Sequence, residues 1–371
     1  MMRAVSRPLG LVCLLLASNP LYADYQLNLE PGVTSASQGA YDIHQIVMWI
    51  CVVIGIVVYG VMSYSILTHR KSKNHKPAQF DDNLTIEILW TVIPVLILIG
   101  MAIPATKALL AMEDTSNSDM SIKVTGYQWK WHYDYVGEDV SFFSNLNTPK
   151  AQIENSEAKG ENYLLEVDNR IIIPINKKIR FLFTSNDVIH AWWVPAFGLK
   201  KDAIPGFINE GWTSVSKPGV YRGQCAELCG ANHGFMPIVV EAKSEADYLA
   251  WLGEQKAAKA AADASGNKVW TMDELMAHGE TAYNTSCAGC HQASGEGIPN
   301  VFPALKGSAI AVGDIAKHIE VVIKGVAGTG MQAFGPQLND ADLAAIITYE
   351  RNAWGNSTGD MVQPSDIKAA R

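Results

Sequence analysis

Two apolar stretches near the beginning of the chain predict helices that cross a membrane. Residues 46–67 carry no charge, and residues 84–112 carry only Glu87 near their start and Lys107 near their end. Each stretch is long enough to span a bilayer, which takes about 20 apolar residues in a helix. Neither stretch contains a histidine. The spans themselves therefore cannot hold a haem between two histidines.

The charges around these stretches predict their orientation. Residues 24–45 contain acids but no Lys or Arg, whereas the connecting loop has basic residues at positions 70, 71, 73 and 76 before its first acid, Asp81. Because basic loops remain in the cytoplasm, we expect a two-pass protein of a bacterial inner (plasma) membrane. The segment 24–45 and everything after residue 112 then lie on the periplasmic side.

Residues 119–242 show a pattern of short strands. Runs of β-branched and aromatic residues alternate with Gly, Pro, Asn and Asp, which is typical of an all-β sandwich or barrel. These runs cover residues 121–124, 171–175, 180–184 and 237–241. Residues 127–135 alternate strictly, with Tyr and Trp on one face and polar residues on the other. We therefore expect Trp129 and Trp131 to pack in the core, although an aromatic patch at the rim of a redox domain can also admit electrons.

The segment 225–236 combines donor groups that suit copper. It contains Cys225, Cys229, His233 and Met236, and soft thiolate and thioether ligands select copper, as imidazole also can. Two thiolates can bridge two coppers, which then share one electron, and His190, at the end of an apolar run, can supply a second imidazole. The alternatives are a disulfide, common in exported proteins, and a histidine that only packs in the core.

A second motif, Cys287-Ala-Gly-Cys290-His291, predicts covalent haem c. A Cys-x-x-Cys pair alone could be a redox dithiol or half of a zinc site, but the following histidine favours haem attachment. For the sixth iron ligand we expect Met331, because it lies in a Gly-rich loop that can fold over the haem. The alternatives are His318 and the methionines at positions 272, 276 and 361. His/Met ligation raises the haem potential, which suits a donor to an oxidase.

The remaining segments complete the predicted domain organisation. Residues 1–23 resemble a secretory signal peptide with a basic start, an apolar run and a possible cleavage point after Ala23. Residues 243–270 are rich in Ala, Lys, Glu and Asp, which predicts a helical, semi-rigid linker. Residues 271–356 then form the haem domain, and residues 357–371 form a tail.

The chain resembles subunit II of haem–copper cytochrome c oxidases over about residues 40–242. The similarity lies in residues 85–91, 128–131, 165–169, 190–192, 199–206 and 225–236, which occur in the family's order. One departure is Phe207, where many members have a basic residue. Residues 271–356 resemble a class I cytochrome c domain, and the fusion resembles the caa-type oxidases. The fold class implied is a transmembrane hairpin, an all-β cupredoxin-like domain and an all-α cytochrome c domain.

This resemblance implies roles for individual residues. It implies a dinuclear copper A centre, with two copper ions held by the side chains at positions 190, 225, 229, 233 and 236 and by the backbone carbonyl of Glu227. It also implies that the Glu227 side chain holds a magnesium ion at the interface with subunit I. Trp129 matches the family's point of electron entry, and Glu87 matches the acid at the mouth of a proton channel.

These features together predict the function of the chain. A net charge of −8 argues against nucleic acid as a partner and leaves room for a basic protein. We expect a cytochrome c oxidase subunit that relays electrons from haem c through copper to subunit I, where oxygen is reduced to water and protons are pumped. The partners are subunit I, subunit III, and an upstream cytochrome c or quinol–cytochrome c reductase. The alternatives are an electron carrier for another terminal reductase, such as nitrous oxide reductase, and a copper-delivery protein, which the haem motif disfavours.

Overall fold

Both apolar stretches form long helices. The computed structural model describes residues 28–73, 76, 79, 81–265 and 268–371, so the expected signal peptide lies outside the described residues. Helix α1 spans Ser35–Thr68 and helix α2 spans Leu84–Glu113, and neither buries a residue. Both are long and apolar enough to cross a membrane. At 1.5 Å per residue, α1 is about 50 Å long, whereas the hydrocarbon core of a bilayer is about 30 Å thick.

The sequence at each helix start explains where the helix begins. Thr34 precedes α1, and its side chain accepts a hydrogen bond from the Ser37 N–H in a capping box. Asn83 precedes α2 and accepts from the N–H of Ile86. These side chains satisfy backbone donors that have no partner in the first turn of a helix. Glu87 lies in the first turn of α2, where the helix dipole favours an acid.

The ends of the helical hairpin are attached to the next domain. The Thr34 hydroxyl donates a hydrogen bond to the carbonyl of Phe197 at 2.9 Å. Near the end of α2, the indole N–H of Trp212 donates to the carbonyl of Ala111 at 3.2 Å. The extra length of α1 beyond the predicted span thus brings the start of that helix to the β-domain.

The β-domain consists of two packed sheets. Its strands are β1 (Met120–Tyr127), β2 (Lys130–Tyr135), β3 (Val140–Ser144), β4 (Ile171–Pro174), β5 (Ile179–Ser185), β6 (His190–Val194), β7 (Leu199–Ala203), β8 (Asn209–Thr213), β9 (Gly219–Cys225) and β10 (Pro237–Lys243), with a short helix α3 (Lys150–Ile153) after β3. One sheet has the order β3-β2-β1-β5-β8 and the other β4-β10-β9-β6-β7. β2 and β5 alternate between buried and partly exposed residues, as expected of strands with one face on a core.

A hairpin turn interrupts the alternating run at residues 127–135. Strand β1 ends at Tyr127 and β2 begins at Lys130, so Gln128 and Trp129 form the turn. Trp131 is fully buried in the core, as predicted, whereas Trp129 is only partly buried at its edge. Because Trp129 lies in the turn, it does not pack on the sheet face that the alternating pattern predicted for it.

A helix joins the β-domain to the C-terminal domain. Helix α4 spans Glu245–Ser265, within the segment predicted to be a helical linker. Its first turns are not free, because Tyr248 and Leu252 are buried in the core of the sandwich. The Trp251 ring lies 5.1 Å from that of Tyr135. Further along α4, Lys256 and Lys259 form ion pairs with Glu138 and Asp139 of the β-domain, so only the last turns of the helix can act as a spacer.

The C-terminal domain is helical. It contains α5 (Met272–Ser286), α6 (Ala288–His291), α7 (Ile315–Lys324), α8 (Asp340–Asn352) and α9 (Pro364–Ala370). Helices α5 and α8 cross closely, because a Cβ atom on Gly279 would lie 2.2 Å from the carbonyl oxygen of Ala345. Leu275 on α5 and Leu343 on α8 are fully buried in the same core. This crossing supports the segment that precedes the haem motif.

We expect Gly279→Ala to destabilise the C-terminal domain by about 1–3 kcal/mol, because the added methyl forces the two backbones apart. The melting temperature of the full chain, followed by haem absorbance, measures the change. Gly253→Ala on α4 is the control, because a Cβ atom there meets nothing within 4 Å. Equal melting temperatures for the two variants would contradict the close crossing.

Candidate copper centre and haem segment

The sheet topology brings the predicted copper ligands together. Cys225 is the last residue of β9, and Met236 immediately precedes β10. His190 is the first residue of β6, and β6 pairs with β9 so that Trp192 lies opposite Cys225. Residues separated by 35 positions in the chain therefore meet at one end of the same sheet.

The donor atoms form a compact cluster. The two thiol sulfurs are 3.8 Å apart. The other separations are 3.9 Å from Cys225 Sγ to His190 Nδ1, 3.4 Å from Cys225 Sγ to the Glu227 carbonyl oxygen, 3.5 Å from Cys229 Sγ to His233 Nδ1, and 3.5 Å from Cys229 Sγ to Met236 Sδ. Each thiol thus has one imidazole and one weaker donor beside it. This two-ended arrangement suits two metal ions bridged by a pair of thiolates.

The disulfide alternative does not describe this pair. Both cysteines are free and buried, and their sulfur separation of 3.8 Å far exceeds the S–S bond length of about 2.05 Å. The neighbouring Cys229 thiol holds the pKa of Cys225 well below the usual thiol range, although burial opposes this shift. The same hydrogen bond between the two thiols raises the pKa of Cys229, so the fit to copper rests on the set of soft donors, two sulfurs with an imidazole beside each.

His190 is held in place from two sides. Its Nε2 lies 2.8 Å from Asp187 Oδ1, which leaves Nδ1 directed toward Cys225. Burial lowers the pKa of the His190 imidazole, but the hydrogen bonds with Asp187 and Cys225 outweigh it, and the pKa is raised overall. On the other side, a Cβ atom on Gly126 would lie 2.7 Å from His190 Cδ2. The sequence analysis identified neither Asp187 nor Gly126, since an acid three residues before a histidine is too common to signal a role.

The turn between β1 and β2 lies directly against residues 225–236, which we call the copper loop. The Trp129 indole N–H donates to the Cys229 carbonyl at 3.2 Å, and Gln128 Nε2 donates to the same carbonyl at 2.8 Å. A side chain on Gly230 would meet both residues. Trp129 therefore connects the partly exposed rim of the domain to the backbone of a candidate ligand.

The two predicted acidic sites have no such neighbours. The Glu227 side chain is exposed in the copper loop, and Glu87 is exposed on α2. The structure brings neither into a cluster with other predicted residues. The magnesium role of Glu227 and the proton-entry role of Glu87 stay predictions.

The haem motif begins where α5 ends and occupies α6. Cys287 and His291 are buried, and Cys290 is partly exposed. The His291 Nδ1 lies 2.9 Å from the carbonyl oxygen of Pro303. Because a carbonyl can only accept a hydrogen bond, Nδ1 carries the proton and Nε2 keeps a free lone pair. This is the tautomer that an iron ligand requires.

The two main candidates for the sixth ligand lie in different surroundings. His318 on α7 is buried, its Nε2 lies 2.8 Å from Glu350 Oε2, and its Nδ1 has no hydrogen-bond partner among the described residues. Met331 is partly buried in the loop between α7 and α8, and it packs against the core of the domain. Its carbonyl accepts the Val326 N–H at 2.9 Å, which closes the Gly-rich loop. These contacts do not decide between the two residues, and the role of Met331 as a ligand stays a prediction.

Comparison with known proteins agrees with this three-part organisation. Residues 120–243 match the family model for the cytochrome c oxidase subunit II periplasmic domain, and residues 23–108 match the model for its transmembrane domain. Residues 274–349 match the model for cytochrome c oxidase, cbb3-type, subunit III. The first model implies copper A, and the last implies haem. The predicted fold class is confirmed.

This chain covers most of the length of its curated relatives. A probable cytochrome c oxidase subunit 2 of Rickettsia felis is 40% identical over 252 residues, which are 67% of this chain and 78% of the relative. A probable cytochrome c oxidase subunit 2 of Rickettsia prowazekii is 44% identical over 64% of this chain and 74% of the relative. The crystal structure of the periplasmic domain of cytochrome oxidase subunit II of Bradyrhizobium japonicum is 41% identical, covers 38% of this chain and 97% of that chain, and has a TM-score of 0.35.

These findings define a membrane-anchored component of a respiratory oxidase that carries a copper domain and a cytochrome domain. The chain belongs to the cytochrome c oxidase subunit II family, with a cytochrome c domain fused at its C-terminal end. The predicted family is confirmed.

We expect Gly126→Ala to lower copper affinity by about 10–100-fold, the range seen when groups that orient a ligand are lost, because the methyl displaces the His190 ring. Metal analysis of the purified complex gives copper per chain, and circular dichroism checks the fold. Gly234→Ala is the matched control within the copper loop, since a Cβ atom there meets nothing within 4 Å. Full copper content in folded Gly126→Ala protein would show that the ring does not need this space.

We expect Met331→Leu to lower the reduction potential of the haem by at least about 60 mV, a tenfold change in a one-electron equilibrium, because the thioether ligand is lost. Redox titration of the intact complex measures it. His318→Gln, which can still donate to Glu350, should leave the potential unchanged. The reverse result would make His318 the ligand.

Proposed function

We propose that this chain relays electrons, one at a time, from its own haem c to a dinuclear copper A centre and on to subunit I of the oxidase. When bound, the haem and the copper pair supply one-electron carriers, and the copper pair shares its electron between two metals. Oxygen reduction to water and proton pumping then take place in another subunit. The main support for this proposal is the donor cluster at Cys225 and Cys229, in which an imidazole lies beside each sulfur.

The residues of the chain perform three tasks in this relay. Cys225 and Cys229 are buried, which excludes water and keeps the donor set rigid, so little rearrangement accompanies a change of charge. Asp187 orients His190, and the Pro303 carbonyl orients His291. We assign electron entry to Trp129, since its indole contacts the carbonyl of a candidate copper ligand.

The relay also requires a defined position in the membrane. The hairpin α1–α2 supports a two-pass anchor whose exposed apolar surface contacts lipid and the partner subunits I and III. The basic loop between the helices favours a cytoplasmic location, which puts both redox domains in the periplasm. There they can accept electrons from an upstream cytochrome c or a quinol–cytochrome c reductase. Magnesium at Glu227 and proton entry at Glu87 belong to this proposal.

We expect Cys225→Ser to abolish copper reduction while haem c remains reducible, because a hydroxyl cannot replace the bridging thiolate. Oxidase turnover should fall by more than about 100-fold, the upper end for losing an orienting partner alone. Haem and copper absorbance of the purified complex, together with oxygen consumption, measure both effects. Cys51→Ser is the matched control, since Cys51 is an exposed free cysteine on α1. If Cys225→Ser kept normal turnover, electrons would not pass through this cluster.

A further inference from the structure

The cytochrome domain contacts the copper domain at the turn that carries Trp129. Gln332, next to the candidate iron ligand Met331, donates from Nε2 to the carbonyl of Gln128 at 2.9 Å. The same nitrogen lies 3.5 Å from Asp187 Oδ2. On its other side, Gln332 Oε1 receives a hydrogen bond from Gln337 Nε2 at 3.3 Å. Both partners of Nε2 are acceptors and the partner of Oε1 is a donor, so the orientation of the amide is determined.

Asp187 links this contact to the copper site. Its Oδ2 accepts the Gln128 N–H at 2.7 Å, and its Oδ1 lies 2.8 Å from His190 Nε2. One carboxylate therefore connects the docked loop to a candidate copper ligand.

Lys130 provides a second contact between the two domains. Its ammonium lies 4.5 Å from the centre of the Phe143 ring in the copper domain and 5.4 Å from that of Phe334 in the cytochrome domain. Both distances are within the range of a cation–π contact. Burial lowers the pKa of Lys130 to about 8.

Among the described residues, no ion pair joins the copper domain to the cytochrome domain. The linker helix α4 forms ion pairs with the copper domain instead, from Lys256 to Glu138 and from Lys259 to Asp139. The two domains meet through the uncharged amide of Gln332 and through the cation–π contact of Lys130 with Phe334. Such contacts depend little on salt, whereas docking by complementary charge weakens as salt increases.

We propose that Gln332 is a docking latch, which holds the cytochrome domain on the Gln128–Lys130 turn and covers the entry face around Trp129. An external donor then reduces the haem of this chain before the copper pair. The latch rests on the proposed relay, since it determines how the relay receives its electrons. The transfer moves one electron from the reduced haem to the oxidised copper pair, and no bond is made or broken.

The test measures electron transfer from haem to copper in the intact complex after flash reduction of the haem. We expect the wild-type rate to change less than about twofold between about 0.01 M and 1 M salt, where the Debye length falls from about 30 Å to 3 Å. Gln332→Glu places a carboxylate against Asp187, and we expect about a tenfold slower transfer at low salt that partly recovers at high salt. Ser357→Asp, which adds the same charge at an exposed position of the cytochrome domain, should behave as wild type.

Two readouts separate the latch from other causes. The copper and haem spectra of Gln332→Glu should match those of the wild type, since the new carboxylate lies against Asp187 Oδ2, whereas His190 is held by Oδ1. With reduced external cytochrome c, haem absorbance should change before copper absorbance. A Gln332→Glu rate equal to that of the wild type at every salt concentration would overturn the latch, as would copper reduction that precedes haem reduction. Wild-type protein whose haem never reduces copper would instead overturn the relay itself.

Discussion

The hydrogen bond between His190 and Asp187 links the candidate copper site to the contact with the cytochrome domain. It determines which imidazole nitrogen faces Cys225, and it occupies one oxygen of a carboxylate whose other oxygen accepts the Gln128 N–H. A buried imidazole without such a partner would be free to rotate away from the sulfur pair. Because the same carboxylate lies beside Gln332, the orientation of the ligand and the position of the cytochrome domain are physically connected.

The turn at Gln128 and Trp129 contacts both the copper loop and the cytochrome domain. In a continuous strand, Trp129 would have packed on the sheet, like Trp131 two residues later. The turn instead brings its indole to the carbonyl of Cys229 and leaves the backbone of Gln128 open to the cytochrome domain. Three consecutive residues thus contact the copper loop, the haem domain and an aromatic pair. A short segment can do this because successive side chains in a tight turn point in different directions.

Much of the architecture could be predicted from local patterns. Long apolar runs with few or no charges identified the two membrane helices, and the motif ending in His291 identified the cytochrome domain, since each pattern has few physical explanations. Other features had no local signal. The start of α1 at Ser35, the packing of Tyr248 and Leu252 in the sandwich, and the role of Asp187 all depend on residues far away in the chain. Hydrophobic periodicity predicts which residues are buried, but it does not predict which other residues they pack against.

Side-chain type and short spacing alone specify which groups this protein offers: two thiols, two imidazoles and a thioether that suit copper, a Cys-x-x-Cys-His motif that suits haem, and two apolar spans. Folding does not alter these groups. The way in which they come together depends on the fold, because the contacts of His190 with Cys225 and of Gln332 with Gln128 arise from strand pairing and domain contact. The spacing along the chain between such residues carries no information about their separation in space.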